Sequence, residues 1–184
     1  MSSTAAIASN HSPGPARLLI VEPNRTALSV IVKRLGELGY RIVACDSASN
    51  VIAELHRAPV DLVLSEIRLG VASGVEITRR IRDDTVLRDT PVILITGKSD
   101  SAGAVDGFAA GADDVVAKPF HFEVLAARIA RRIARARAVR ELRCDNAALD
   151  ARVASRAIEL GEIKAALEQS EAERLRLQQL VARD

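Results

Sequence analysis

The 184-residue chain has no Trp, one Tyr and three Phe. That scarcity excludes the aromatic stacking surfaces on which RNA-recognition sheets and oligonucleotide-binding barrels depend. The core must therefore be built from Val, Ile, Leu and Ala. Cysteine is equally sparse: Cys45 and Cys144 lie far apart in sequence, and the three histidines (His11, His56, His121) have no ligand spacing to either. A disulfide framework and a zinc site are both excluded, and the pattern fits a reducing, cytoplasmic compartment. No apolar run is long enough to span a bilayer. The opening MSSTAAIASNHSPGPA has neither a basic start nor an apolar centre, so residues 1–15 read as a disordered polar tail. With 26 basic against 24 acidic residues the net charge is +2, too small for a global field attracting nucleic acid, and such a partner is not expected. Beyond residue 121 there is no Pro and one Gly, Gly161, in a stretch rich in Ala, Arg, Glu and Leu. This composition predicts one globular domain followed by one long helix.

The domain reads as alternating strands and helices. Apolar runs at RLLIV (17–21), RIVAC (41–45), VDLVLS (60–65), PVILIT (91–96) and DDVVA (113–117) predict five strands. Between them, RTALSVIVKRLGEL, SASNVIAELHRA, GVEITRRIRDD and SDSAGAVDGFAAG predict helices, the first capped by Asn24 and closed by Gly39. Near-continuous apolar strands are buried on both faces, which means a parallel sheet with helices on either side. Ligands of such sheets bind outside the carboxyl ends of the strands. Those ends carry Glu22, Glu66, Thr96 and Lys118. Two carboxylates, a hydroxyl and an ammonium suit a phosphoryl-sized anion, with a hard cation held between oxygens.

LLIVE before Pro23, VDLVLSEIRLGVASGVEITRRIR, TPVILITGKSD and GADDVVAKPF together resemble the receiver domain of two-component response regulators, over residues 16–135. The resemblance implies a flavodoxin-like, doubly wound α/β fold with five parallel strands in the order 2-1-3-4-5. It also implies roles. Glu66 occupies the place of the family's phosphoacceptor Asp, and Thr96 and Lys118 that of the groups binding the phosphoryl oxygens. Glu22 occupies the first acidic position; Pro23 replaces the second acid. Val115 replaces the aromatic that reports phosphorylation, while Gly70 and Ser73 replace a Pro and an Asp in the loop after the acceptor.

These departures have consequences. Glu is one methylene longer than Asp, and an ångström of displacement costs about 10²-fold in an in-line transfer. Pro23 removes a charged oxygen from a metal site at Glu22 and Glu66, so Mg²⁺ binding there is expected to be weak or absent and no cofactor is required. The same loss relieves repulsion among clustered acids and leaves Lys118 able to pair with Glu66 directly. Val115 offers no ring to swing.

The carboxyl-terminal segment 136–184 reads as a coiled-coil helix continuous with the last receiver helix, resembling signalling-helix linkers. With Val139 at position a, the a and d positions hold Val139, Leu142, Asn146, Leu149, Val153, Leu160, Ile163, Leu167 and Leu177, interrupted by Arg156, Ser170 and Arg174. Asn146 at a favours a two-stranded parallel pair. The flanking charges Glu159 with Lys164, and Asp145 with Asp150, leave the orientation open. An arginine-rich stretch, residues 128–143, precedes and overlaps this seam.

The expectation is a phosphorylation-independent pseudo-receiver, not an enzyme, acting as a homodimeric adaptor or scaffold without an output domain of its own. Its partners would be two-component proteins: a histidine kinase, a phosphotransfer protein or an output protein. Two alternatives stand beside it: a response regulator with weak Mg²⁺-dependent phosphotransfer to Glu66, and a nucleotide or nucleic-acid regulator acting through the arginines of 128–143.

Overall fold

The computed structural model describes residues 14–181, with the side chains of residues 173 and 175–181 outside the description. The tail read over 1–15 falls outside it up to residue 13, and so does the side chain of Leu177. The chain divides into two units, Met1–Ala136 and Arg137–Asp184.

The first unit runs β1 (Arg17–Val21), α1 (Arg25–Glu37), β2 (Arg41–Cys45), α2 (Val51–Arg57), β3 (Leu62–Glu66), β4 (Arg68–Leu69), β5 (Ala72–Ser73), α3 (Gly74–Asp83), β6 (Val92–Thr96), α4 (Ser101–Ala109) and β7 (Asp114–Ala117). The last helix, α5, extends over Phe122–Val181. The five long strands form one parallel sheet in the order β2-β1-β3-β6-β7. This is the 2-1-3-4-5 order expected from the resemblance, because β6 and β7 are the fourth and fifth long strands. The additional β4 and β5 pair antiparallel as a small ribbon.

Alternation along β1 explains the layers. Leu18 and Ile20 point to one face, where they pack with Ile31 and Leu35 of α1 and with Leu125, Ile129 and Ile133 of α5. Leu19 and Val21 point to the other, against Val51 and Leu55 of α2 and Val75, Ile77 and Ile81 of α3. β3 and β6, in the middle of the sheet, are buried along their whole length. That is why their sequences read as continuous apolar runs and deliver Glu66 and Thr96 at their carboxyl ends.

Helix starts follow local chemistry. Asn24 accepts from the Ala27 amide to cap α1, and Gly39, at φ 87°, ends the turn after it. α2 begins at Val51, four residues later than the sequence pattern predicts. The Ser47 and Ser49 hydroxyls bond to each other, 3.1 Å apart, in the turn that precedes it. Arg82 ties α3 to the sheet: its guanidinium donates to the carbonyls of Gly111, Arg88 and Thr90 and to the carboxylate of Asp113, at 2.8–2.9 Å.

The second unit is the helix from Arg137 onward. Leu142, Leu149, Val153, Leu160, Ile163 and Leu167 are all exposed on it. No helix among the described residues is long and apolar enough to cross a membrane.

Candidate functional site

Four strands each deliver one residue to the carboxyl edge of the sheet. Glu22 follows β1, Glu66 closes β3, Thr96 closes β6, and Lys118 follows β7 before a cis bond to Pro119. Glu22, Glu66 and Thr96 are all buried. Parallel registry brings them level: Val21 pairs with Ser65, and Glu66 with Ile95.

Lys118 organises the cluster. Its Nζ donates to Glu22 Oε2 at 2.7 Å and lies 2.5 Å from Glu66 Oε2. Glu66 Oε2 is buried, and the Lys118 ammonium is its ion-pair partner. Burial pulls the Lys118 pKa down, but hydrogen bonds and the charges of Glu22 and Glu66 outweigh it and leave the ammonium above its ordinary value. Glu22 is held at both ends, because its Oε1 accepts from the Asn24 amide at 3.0 Å.

The rest of the rim is tied through Asp100. Thr96 Oγ1 lies 3.5 Å from the Asp100 carbonyl and also helps to lower the Asp100 carboxyl. Asp100 caps α4 through the Gly103 amide and receives Arg68 Nε at 3.1 Å, so the loop after Glu66 is strapped to the loop after Thr96. Both bonds hold the Asp100 carboxyl below its usual range, the Gly103 amide most of all. Gly74 opens α3 directly against the end of β3: a Cβ there would run into the carbonyl oxygen of Glu66. Val115, in β7, packs against the core as a small aliphatic side chain. Asn24, Arg68 and Asp100 belong to the site as much as the residues singled out from sequence. Asn24 was legible only as a helix cap, and the Arg68–Asp100 pair spans 32 positions with no local signal.

A Mg²⁺ ion does not fit this donor set. It demands near-ideal octahedral oxygen coordination. Glu22 already uses both oxygens, Pro23 offers no side-chain oxygen, and the Lys118 ammonium occupies the space between the two carboxylates. Among the described residues no group of three or more His, Cys, Asp or Glu is placed to hold a metal.

The arginine stretch divides in two. Arg128 forks onto the buried carboxylate of Asp114 at 2.9 and 3.1 Å, and Arg132 approaches it at 3.6 Å. Those two guanidiniums hold α5 to β7. Of the seam residues in the second unit, Val139 is 40% exposed and Leu142, Leu149, Val153, Leu160, Ile163 and Leu167 more than half. Asn146 is exposed as well.

Residues 18–130 match the family model described as the response regulator receiver domain. Among curated proteins, the chain is 36% identical over 115 residues to the transcriptional regulatory protein YvrH of Bacillus subtilis, covering 62% of this chain and 47% of that protein. It is 33% identical over 113 residues to the two-component response regulator PhoP of Pseudomonas aeruginosa, covering 61% and 49%. The chain thus spans about half the length of these relatives. Among solved structures, the signal receiver domain of a signal transduction histidine kinase from Syntrophus aciditrophicus superposes with TM-score 0.61 at 29% identity, covering 65% of this chain and 90% of that one. The BeF3-activated DrrB receiver domain gives TM-score 0.58 at 31% identity, covering 65% and 98%.

Proposed function

The chain belongs to the response regulator receiver domain family, and we propose that within two-component signalling it works as a pseudo-receiver, a cytoplasmic dimeric adaptor whose state does not depend on phosphorylation. The observation that carries this reading is the position of Lys118, 2.7 Å from Glu22 and 2.5 Å from Glu66. The cation that would meet an incoming phosphoryl group is already neutralised by two carboxylates, and the carboxylate in the acceptor place is a Glu. The site is filled by the protein's own charges, and Val115 supplies no ring to move. The role is interaction, not catalysis.

Two surfaces support an adaptor. Beside Lys118, a cavity of about 510 Å³ opens between α1 and the segment after β7, lined by Ala27, Val30, Ile31, Pro119, Phe120 and Phe122. It suits the apolar face of a partner helix, as a histidine kinase or phosphotransfer protein would present. The exposed seam of the second unit suits a second copy of the chain. The reading is tested by measuring affinity for the partner kinase before and after treatment with acetyl phosphate and Mg²⁺. Unchanged affinity is expected. A change that depends on the phosphodonor would overturn the reading.

A further inference from the structure

We infer that two copies pair antiparallel through the second unit. The inference rests on the dimer reading above and adds orientation and register to it. Leu142, Leu149, Val153, Leu160, Ile163 and Leu167 are each more than half exposed, so no described part of the chain covers the stripe. They recur at heptad spacing, which a second helix of the same pattern would cover.

The charges on and beside the seam decide the orientation. In a parallel, in-register pair every seam residue meets its own copy. Arg156, at position d, would then face Arg156, and Arg174, at position a, would face Arg174. Like charges in a desolvated seam are costly because neither has a counter-ion. The flanks add two more repulsions, Asp145 against Asp150 on each side, and only Glu159 with Lys164 is favourable.

Antiparallel pairing sets every a against a d, so no seam arginine meets itself. In the register centred at Ile158, Val153 faces Ile163, Leu149 faces Leu167, and Asn146 faces Ser170 of the second copy. The amide of Asn146 and the hydroxyl of Ser170 then form a polar layer that can hydrogen-bond internally. On the e flank Arg143 faces Glu171 and Asp150 faces Lys164, each twice by the two-fold symmetry. Arg156 faces Leu160, along which its aliphatic stem lies while the guanidinium reaches solvent. On the g flank the contacts are like-charged: Glu159 meets its own copy at the axis, and Asp145 comes level with the acidic position 173; the four attractive e-flank contacts outnumber these three. Asn146 is accommodated in either orientation; Arg156 is accommodated only in this one.

The test uses the full chain with Cys45→Ser and Cys144→Ser, carrying either Leu149→Cys or Leu167→Cys. Sedimentation of the wild type and of both variants comes first. A monomeric wild type would overturn the dimer reading itself. In dimers, oxidation of the mixed variants is expected to join one chain of each kind, with no product from either alone, since a disulfide needs the two Cα atoms within about 7 Å. A disulfide formed by Leu149→Cys with itself would establish the parallel pair and overturn the orientation alone. A dimer that forms neither product would also overturn the stated register.

Discussion

Lys118 bridges two carboxylates, with its ammonium 2.5 Å from Glu66 Oε2 and 2.7 Å from Glu22 Oε2. The acceptor-place carboxylate and the neighbouring acid thus share one ammonium. Replacing Lys118 by Met would leave two buried carboxylates facing each other. Breaking a fully buried pair costs about 3–5 kcal/mol. Lys118 is about a third exposed, so screening reduces the loss to about 2–3 kcal/mol. Urea denaturation of Lys118→Met should show that loss, and adding Glu22→Gln should recover much of it.

The same pair sets an alkaline limit. The Lys118 pKa is raised above the ordinary 10.5 in the folded state. A raised folded-state value means the ammonium's contribution is complete below the unfolded value and disappears as pH rises through the folded one. The difference in Tm between wild type and Lys118→Met should therefore be constant from neutral pH to about 10 and narrow above 10.5.

Much of this fold was legible because its signals are local or periodic. Buried strands are continuous apolar runs, so all five long strands were found within two residues, and the four strand-end groups Glu22, Glu66, Thr96 and Lys118 followed from them. The ribbon of Arg68–Leu69 with Ala72–Ser73 was not legible, since two-residue strands carry no periodicity. Nor were the ties that fix the site. Arg82 to Asp113, Arg128 to Asp114 and Arg68 to Asp100 each join elements distant in sequence, and an arginine on a helix reads as a solvated charge until its partner is placed. The second unit was legible as a helix, and its heptads mark an apolar stripe that is exposed. Its orientation was left open because the flanking pairs disagree, Glu159 with Lys164 being favourable and Asp145 with Asp150 unfavourable in a parallel pair.

Gly74 is required by contact, not by backbone angle. A Cβ there meets the Glu66 carbonyl oxygen, with Ser65 Oγ and Leu94 close behind. Gly74→Ala should lower stability by about 1–3 kcal/mol, the ordinary cost of overpacking. Because the strain falls on the end of β3, the variant should also disturb the NMR signals of Glu66 and Lys118, whereas Gly36→Ala, which meets nothing within 4 Å, should leave them unchanged.

Asp100 links helix capping to the rim of the site. Asp100→Ala removes the cap on the Gly103 amide and releases Arg68. Its carboxyl is held below the usual range, so its contribution is present above pH 3.8 and lost as pH falls through the lower folded value. The variant should have faster amide exchange across the first turn of α4. The wild type should approach that behaviour only below pH 3.8.

The central claim, that Glu66 is a fixed carboxylate and not a phosphoacceptor, is tested most directly by intact-protein mass spectrometry after incubation with acetyl phosphate and Mg²⁺. The wild type is predicted to remain unmodified. Glu66→Asp, run beside it, asks whether the longer side chain alone blocks transfer: a phosphorylated variant would answer yes, and an unmodified one would move the cause to Pro23 and the missing acid. A phosphoryl adduct on Glu66 of the wild type would contradict the account.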